Sequence, residues 1–393
     1  MLMLTRIRLI SLFFNLILFP LKSFLSFISK DKRKKLLVIK LDAIGDYILF
    51  RNFLKFLRED AKYSEYHITL CGNLIWKDLA VALDNAFVDH FIWIDKNNFR
   101  QNLFYTIFKV VQLICANFYI VIHPTHSRYA YVDKIVGLIN AKISIGSYGD
   151  TANISTNEKV IGDRFYSKLI KGRDETEFEF IRNQVFFEQL LGKSLLINKP
   201  QINFDVGRSY NLPDKYVLVF LGGSARYKHW NPVYFSDIIN KLYEKYRIES
   251  VIAGGSDVIA LAEIVCQCAK YEVCNFVGKT NLIDLISLIE QSLFLVSNET
   301  SAVHIGVSLD KDIICISNAN HFSRFTPYPP EVYKRCYTVF PPIVMRNINN
   351  NFAELVAHFN KNSCLNINTI APDLVWSRIE EKLFSAQNLK KTG

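Results

Sequence analysis

A regular alternation of short apolar runs and amphipathic segments begins at Leu36 and constrains the fold more than any other feature of this chain. Runs such as LLVIK and FYIVIHP have the composition of buried strands, and the segments between them place apolar residues at helical spacing. Such alternation is typical of parallel strands joined by helices in a doubly wound α/β sheet. The pattern weakens over 150–205 and then restarts, so we predict two such sheets.

A chain of 393 residues is long enough for two domains. We predict an α/β protein with two Rossmann-like domains, 36–205 and 206–365, that face a cleft. A segment at 1–35 precedes them, and a C-terminal helix and tail at 366–393 cross back. The predicted strands are 36–40, 66–72, 89–95, 118–124 and 141–148, the last ending the first sheet, and then 216–222, 248–255, 271–280, 293–299 and 312–319. The predicted helices are 46–58, 76–83, 101–116, 174–192, 232–246, 257–269, 281–292, 300–309 and 371–384.

The positive charge of the chain is concentrated at its N-terminus. The formal net charge is +10, and residues 1–35 hold eight of the 47 Lys and Arg residues with one acidic residue. This distribution disfavours nucleic acid as a partner and favours an anionic membrane surface. The apolar run from Leu9 to Ile28 contains Pro20 and Lys22, which suits an interfacial helix better than a clean membrane span. A span and a cleaved signal stay open, and with either membrane anchor the body of the protein is expected in the cytoplasm.

The eight cysteines do not follow the spacing of a metal site. Cys266 and Cys268 are separated by one residue, and no pair of histidines follows at zinc-finger spacing. We therefore predict reduced thiols in a cytosolic protein and no bound metal, with a structural zinc as the alternative.

Four loops fall at the ends of predicted strands, where doubly wound sheets bind their ligands. They are LDAIGD at 41–46, LGGSARYKHWNP at 221–232, AGGSD at 253–257 and VSNETSAVHIG at 296–306. Asp46 in the first loop has two explanations. It can cap the following helix or lie in its first turn, where the helix dipole favours an acid, or it can serve as a catalytic base.

The order and spacing of these loops resemble glycosyltransferase family nine, the heptosyltransferases of lipopolysaccharide core synthesis. The segments that carry the resemblance are Lys40 to Asp46, KHW at 228–230, GKTNL at 278–282 and SNETSAVH at 297–304. The resemblance covers roughly 36–385 and implies a GT-B fold. It also implies inverting, metal-independent transfer of a sugar from a nucleotide-diphosphate donor, with no cofactor.

The resemblance also implies roles for individual residues. Asp46 takes the proton of the acceptor hydroxyl, and Lys228 binds the donor phosphates, unless it is a solvated loop lysine. The turn NETSAVH begins a helix, so the backbone N–H groups from Glu299 to Ala302 are expected to bind a phosphate. The other implied donor-site residues are Ser224 and Thr300 at the diphosphate, Ser301 in the same turn, Asp257 at the ribose, Glu299 at a sugar hydroxyl and His304 at the sugar or a phosphate. His304 can instead be a helix-packing histidine and Asp257 a surface loop acid, and Trp230 is expected to pack beneath its loop.

The chain departs from the family pattern at two positions, with Glu299 in place of the usual Asp and Ser301 in place of the usual Gly. Both leave the identity of the sugar open. On the acceptor side, His123, His126 and Arg128 in HPTHSR suit an anionic acceptor such as a phosphorylated saccharide, or they are hydrogen-bonded structure.

The function predicted from these features is the extension of a lipid-linked saccharide, such as lipopolysaccharide core, at the cytoplasmic face of the inner membrane. The protein would associate with that membrane peripherally through residues 1–35. The alternatives are a nucleotide-sugar epimerase or hydrolase of similar architecture, and a degenerate, non-catalytic nucleotide-binding scaffold. A dehydrogenase is disfavoured because no G-x-G-x-x-G follows the first strand.

Overall fold

A computed structural model describes residues 34–174, 176–203 and 210–384. Nearly all of the predicted membrane-associating segment, the predicted domain boundary at 205 and the end of the C-terminal tail lie outside these described residues. In the part of the chain that is described, no helix is both long and apolar enough to span a membrane.

The chain divides into two compact units. Unit 1 comprises Met1–Glu175 and Ile181–Leu195, and unit 2 comprises Thr176–Phe180 and Leu196–Gly393. Each unit contains, within its described residues, one six-stranded parallel sheet, as the alternation of strands and helices predicts.

The sheet of unit 1 has the Rossmann order, β3-β2-β1-β4-β5-β6. Its central strands are apolar along their length because helices cover both faces of a parallel sheet, and Leu36, Leu37 and Val38 are fully buried. The strands are β1 Lys35–Lys40, β2 His67–Asn73, β3 His90–Ile94, β4 Ile120–His123, β5 Ile143–Ser147 and β6 Lys168–Ile170. The helices are α1 Ile44–Ile48, α2 Phe53–Glu59, α3 Lys77–Asp84, α4 Lys96–Gln101, α5 Leu103–Cys115, α6 Ala130–Ile139, α7 Thr156–Asp163 and α8 Glu179–Leu191, whose first two residues belong to unit 2.

The sheet of unit 2 repeats the same order, β12-β11-β10-β7-β8-β9. The strands are β7 Tyr216–Phe220, β8 Glu249–Ala253, β9 Val273–Asn275, β10 Leu295–Asn298, β11 Ile313–Ile316 and β12 Cys336–Val339. The helices are α9 Pro232–Tyr246, α10 Ile259–Cys268, α11 Leu282–Gln291, α12 Ser301–Ser308, α13 Pro342–Asn347, α14 Phe352–Phe359 and α15 Pro372–Leu383.

Two predictions about these elements are corrected. The strand at 141–148 does not end the first sheet, because β6 pairs with β5 beyond it. The predicted helix at 46–58 is two helices, since Phe53 and Leu54 make tight i to i−3 hydrogen bonds in the turn between α1 and α2. Helix α15 belongs to unit 2, where Val375 and Ile379 are fully buried in the core, and its crossing back stays a prediction.

Each sheet reverses its strand order at one point, between β1 and β4 in unit 1 and between β7 and β10 in unit 2. The helices that follow the two strands at such a point lie on opposite faces of the sheet, which opens a crevice at the carboxyl ends of the strands. The predicted loops 41–46, 221–232 and 296–306 follow three of these four strands, and HPTHSR follows the fourth.

Candidate functional site

The loop after β1 is built around Asp42. Its carboxylate forms an ion pair with the buried Lys40, at 2.9 Å between Nζ and Oδ2, and accepts a hydrogen bond from the Thr125 hydroxyl at 2.7 Å. Its backbone carbonyl accepts hydrogen bonds of 3.1 Å from the side chains of Asn73 and Trp76. These bonds hold the loop at the carboxyl ends of β1, β2 and β4.

Asp46 is the third residue of α1 and is half-buried. The N-cap position is taken by Ala43, whose side chain makes no capping bond, so Asp46 is a first-turn acid and not the N-cap. The next residue fixes the helix in place: Tyr47 donates to Asp84 at 2.5 Å and stacks on Trp76 with 4.4 Å between the ring centroids. Asp46 is therefore presented from a short, firmly anchored helix beside the switch point of unit 1.

His123 ends β4 and is linked to a chain of hydrogen bonds that the sequence did not reveal. Its Nδ1 lies 2.7 Å from the Tyr166 hydroxyl, which donates to Asp133 Oδ1 at 2.6 Å. Burial lowers the pKa of His123 to about 3, and the nearby Arg128 acts in the same direction. The imidazole is therefore neutral at physiological pH.

His126 and Arg128 do not form the cationic surface that an anionic acceptor would need. Arg128 is fully buried, forms an ion pair with Asp163, and has Nη1 3.5 Å from Asp133 Oδ1. His126 is also buried, with Nε2 3.5 Å from Asp150 Oδ2. The geometry thus supports the structural alternative for Arg128, because its charge is compensated inside the unit.

In unit 2, the loop after β7 brings Lys228 to the end of β10. Lys228 lies in a 3-10 turn, Arg226–Lys228, and its ammonium is buried against Glu299, 3.1 Å from Oε1. The other carboxylate oxygen of Glu299 accepts a hydrogen bond from Ser317 at 2.6 Å. Ser224, in the same loop, is exposed. The solvated-lysine alternative does not describe Lys228, which is 7% exposed.

Asn298 connects this loop to β10. Its side-chain amide donates to the carbonyls of Leu221 and Gly222 at 2.9 and 3.2 Å, and its oxygen accepts from the backbone N–H of Trp230 at 3.1 Å. Trp230 is buried as predicted, with Nε1 donating to the Ile370 carbonyl at 2.8 Å. Asn298 fixes the position of the loop that carries Lys228, and Glu299 is the next residue after Asn298. The same side chain therefore holds Lys228 and Glu299 near each other.

Helix α12 begins directly after Glu299, with Thr300 as its half-buried N-cap and Ser301 as its first helical residue. Thr300 makes no side-chain capping bond, which leaves its hydroxyl out of the cap. The N–H of Glu299 donates to the Ile316 carbonyl at 2.9 Å, so the expectation that it binds a phosphate is wrong. The backbone N–H groups that we predict to bind a phosphate are therefore limited to Thr300 to Ala302.

His304 lies one turn into α12 and is buried. Its Nδ1 is 2.5 Å from the Tyr328 hydroxyl. Burial lowers its pKa to about 3, and the charge of the nearby Lys228 acts in the same direction. The charge of Lys228 is therefore near enough to act on the His304 ring.

The remaining predicted donor residue, Asp257, is exposed in the 3-10 turn Ser256–Val258 after β8.

A cavity of about 280 Å³ lies farther along the loop of Lys228, between Arg226, His229 and Asn366. Within the described ranges, no group of three or more His, Cys, Asp or Glu side chains is arranged to hold a metal ion.

Sequence reasoning missed the partners of the site residues. The missed partners are Asp42, Thr125, Asp133, Tyr166, Asn298, Ser317 and Tyr328. Asp42 and Asn298 lie inside segments that the motifs already quote, so their position was a usable signal. Tyr166 and Asp133 carry no such signal, because they reach His123 only through the packing of α6 and the loop before β6.

Comparison with known proteins supports the resemblance to glycosyltransferase family nine. Residues 189–339 match glycosyltransferase family 9 (heptosyltransferase). This match contains the loops of Lys228, Asp257 and Glu299 and does not extend to Asp46. It confirms the resemblance indicated by the motifs, and with it the prediction of a glycosyltransferase. No curated protein matches the sequence.

Solved structures share the fold at low sequence identity. The glycosyl transferase family 9 structure from Veillonella parvula DSM 2008 is 18% identical with a TM-score of 0.68, over 91% of this chain and 99% of that one. E. coli heptosyltransferase WaaC with ADP is 16% identical with a TM-score of 0.63, over 88% and 99%. E. coli ADP-heptose lps heptosyltransferase II is 13% identical with a TM-score of 0.59, over 89% and 98%. These likenesses confirm the predicted GT-B fold class.

Proposed function

Because residues 189–339 match glycosyltransferase family 9, we propose that the protein is an inverting, metal-independent transferase. It moves a sugar, a heptose or a related one, from a nucleotide-diphosphate donor to a lipid-linked saccharide such as lipopolysaccharide core. The observation that carries the proposal is the buried Lys228–Glu299 pair at the switch point of unit 2, beside the start of α12.

The donor is assigned to unit 2 on the basis of charge and hydrogen-bond donors. Lys228 supplies a positive charge, and the N-terminus of α12 supplies backbone N–H groups and the positive end of a helix dipole. His304 adds a ring N–H from the same helix. A departing diphosphate carries negative charge, which these groups stabilise as the bond to the sugar breaks. The E. coli structures named above bind ADP or use ADP-heptose, so ADP is the first nucleotide to test.

The acceptor is assigned to unit 1, with Asp46 as the general base. The acceptor oxygen attacks the anomeric carbon while the bond from that carbon to the phosphate oxygen breaks. The hydroxyl proton passes to the Asp46 carboxylate, and the electron pair of the broken bond leaves with the diphosphate. Attack from the face opposite the leaving group inverts the configuration, and one base is sufficient for this step.

Residues 1–35 are proposed to bring the enzyme to its acceptor. The basic, apolar segment would associate peripherally with the anionic cytoplasmic face of the inner membrane, where a lipid-linked acceptor is confined. Both the enzyme and its acceptor would then be concentrated in the same plane.

A thermal-shift panel on the full chain in mild detergent tests the donor site, using ADP, UDP, GDP and CDP with and without EDTA. A nucleotide at about 100 times its dissociation constant should add about 2.7 kcal/mol to the free energy of unfolding. We expect one nucleotide to raise the melting temperature, with no effect of EDTA. Absence of a shift with all four nucleotides would contradict the donor site, and a shift abolished by EDTA would contradict metal independence.

A transfer assay then separates an enzyme from a scaffold. The nucleotide that shifts the melting temperature is supplied as its heptose or hexose derivative, and release of the free nucleotide is measured with lipopolysaccharide core as acceptor. Nucleotide binding without acceptor-dependent release would favour a non-catalytic scaffold. Release that does not depend on the acceptor would favour the hydrolase or epimerase.

A further inference from the structure

We propose that His123 binds the saccharide acceptor by accepting a hydrogen bond from one of its hydroxyl groups at Nε2, and that Tyr166 and Asp133 fix the tautomer that makes this possible. The inference deepens the proposed function, on which it rests, by naming the chemistry of the acceptor at unit 1. It makes His123 a substrate-binding residue and Tyr166 and Asp133 positioning residues.

The direction of the hydrogen bonds determines the tautomer. The Tyr166 hydroxyl has one proton and lies 2.6 Å from Asp133 Oδ1. An ionised carboxylate only accepts, so this proton is donated to Asp133. Tyr166 must then accept from His123, whose Nδ1 is 2.7 Å away and therefore carries the ring proton. The lone pair of the neutral imidazole is left on Nε2.

Two neighbours, Arg128 and Tyr166, favour the charged form of Asp133. Burial raises the pKa of Asp133, but Arg128 and the Tyr166 hydrogen bond oppose this shift. Arg128 lies 3.5 Å from the same carboxylate oxygen and stacks over the Tyr166 ring, with Cζ 5.0 Å from the ring centroid. The guanidinium thus favours the ionised carboxylate. The direction of the hydrogen bonds from His123 through Tyr166 to Asp133 depends on this ionised form.

His123 lies at the switch point of unit 1, and its Nε2 is not engaged by the described part of the protein. His123 is the last residue of β4, and among the described residues no side chain or carbonyl forms a hydrogen bond with its Nε2. The nearby Asp42 raises the pKa of His123, whereas Arg128 and Lys40 lower it in the same direction as burial. The ring is therefore a neutral acceptor at the carboxyl end of the sheet.

This geometry selects a hydroxyl over a phosphate. A lone pair on Nε2 accepts from an O–H group and repels a phosphate oxygen that carries no proton. The guanidinium of Arg128 is occupied by Asp133 and Asp163, and His126 lies beside Asp150. Of the three residues that we expected to bind an anionic acceptor, His123 thus presents an uncharged hydrogen-bond acceptor.

The tautomer can be measured directly on the full-length protein labelled with ¹⁵N-histidine. Long-range ¹H–¹⁵N spectra separate a protonated from an unprotonated ring nitrogen, and His123→Gln assigns the signal. We expect His123 to be protonated at Nδ1 and unprotonated at Nε2, and Tyr166→Phe to shift the population toward Nε2–H. Protonation at Nε2 in the wild-type protein would overturn the proposal.

Binding and kinetics test the role of Nε2 with lipid-free lipopolysaccharide core saccharide as the probe, in its native and dephosphorylated forms. The His123 Nε2 signal should move on addition of either form. Tyr166→Phe should raise the KM for the saccharide about 10-fold, equally for both forms, and leave nucleotide affinity unchanged. The control is Tyr63→Phe, which removes another fully buried hydroxyl in unit 1 and should leave both constants unchanged.

The outcomes separate this inference from the proposed function. If the saccharide moves the Nε2 signal but no sugar is transferred, the proposed activity fails and the acceptor site stands. If sugar is transferred while the Nε2 signal stays fixed and Tyr166→Phe behaves as Tyr63→Phe does, the inference fails and the activity stands. A KM that rises only for the phosphorylated form would also overturn the inference, because it would indicate that this site binds the phosphate.

Discussion

His123 in unit 1 and His304 in unit 2 are both buried, and each has a tyrosine hydroxyl on Nδ1, at 2.7 Å and 2.5 Å respectively. Burial lowers the pKa of each to about 3. The two sites differ in the second hydrogen-bond partner of the tyrosine hydroxyl. Tyr166 has the carboxylate of Asp133 as a second partner, whereas the Tyr328 hydroxyl bonds only to His304 among the described residues.

The second partner reverses the direction of the hydrogen bond. Tyr328 has no other acceptor for its proton in the described chain, which favours donation to His304 Nδ1 and a ring proton on Nε2. In the proposal, the imidazole of unit 1 presents an acceptor at Nε2 and that of unit 2 presents a donor. An ionised diphosphate can accept a hydrogen bond only from the second, whereas a saccharide hydroxyl can donate to the first.

The largest expected effect separates the chemical role of unit 1 from the binding role of unit 2. Asp46→Asn should lower kcat by about 10²- to 10⁴-fold, because it removes the general base. The dissociation constant of the nucleotide, measured by calorimetry, should not change. The control is Asp78→Asn, an exposed acid in the first turn of α3, which should keep full activity. Equal losses in both variants would assign Asp46 to the helix dipole alone.

The next effect tests whether the charges of unit 2 act as a pair. Lys228→Met should lower the free energy of unfolding by about 3–5 kcal/mol, because it leaves the buried Glu299 carboxylate uncompensated. It should also abolish nucleotide binding. Denaturant unfolding of Lys228→Met/Glu299→Gln supplies the matched comparison. The double variant should regain most of the stability without regaining binding, and additive losses would show that the two groups are not coupled.

A pH titration tests the burial that the two histidines share. Each pKa is lower in the folded than in the unfolded protein, where it is about 6.5, so the unfolded state binds more protons below that pH. Stability is then greatest above pH 6.5 and falls as the pH drops toward 3. Each histidine should contribute a loss of about 2 kcal/mol between pH 7 and pH 5.

The substitutions His123→Gln and His304→Gln should each remove the contribution of one histidine to the loss of unfolding free energy between pH 7 and pH 5. Urea unfolding at several pH values measures this loss. His358, which is exposed, provides the control, and His358→Gln should leave the slope unchanged. His321 is half-buried, and burial lowers its pKa as well, so some slope should remain in the double variant. A slope that does not respond to either buried histidine would contradict their neutral state.

The smallest effect examines the support of Glu299. Ser317→Ala removes the 2.6 Å hydrogen bond to Oε2 but leaves the ion pair with Lys228 in place. We expect a loss of about 1–2 kcal/mol in the free energy of unfolding and only a small change in nucleotide affinity. Loss of nucleotide binding as complete as in Lys228→Met would mean that Ser317 itself contacts the donor.

The alternation of apolar and amphipathic segments determined the two sheets, because a parallel strand covered on both faces must be apolar along its length. Strand β6 was missed because three residues, KLI, are too few to show any period. The short helices α13 and α14 and strand β12 were missed for a similar reason, since they lie in a region of mixed composition after β11.

Site residues that lie within one strand-end loop were visible in the sequence. Asp46, Lys228 and Glu299 each follow a recognisable strand, so spacing alone places them at the carboxyl edge of a sheet. The sequence did not determine whether Lys228 faces solvent, because its burial depends on Glu299, 71 residues later.

The tautomers of the two histidines were decided only by tertiary structure. Tyr166 lies 43 residues from His123 and 33 from Asp133, and no local pattern brings these three side chains together. The physical reason is that a hydroxyl both donates and accepts, so its role is set by its second partner. The second partner of the Tyr166 hydroxyl is the carboxylate of Asp133. In the described chain, no carboxylate forms a hydrogen bond with the Tyr328 hydroxyl.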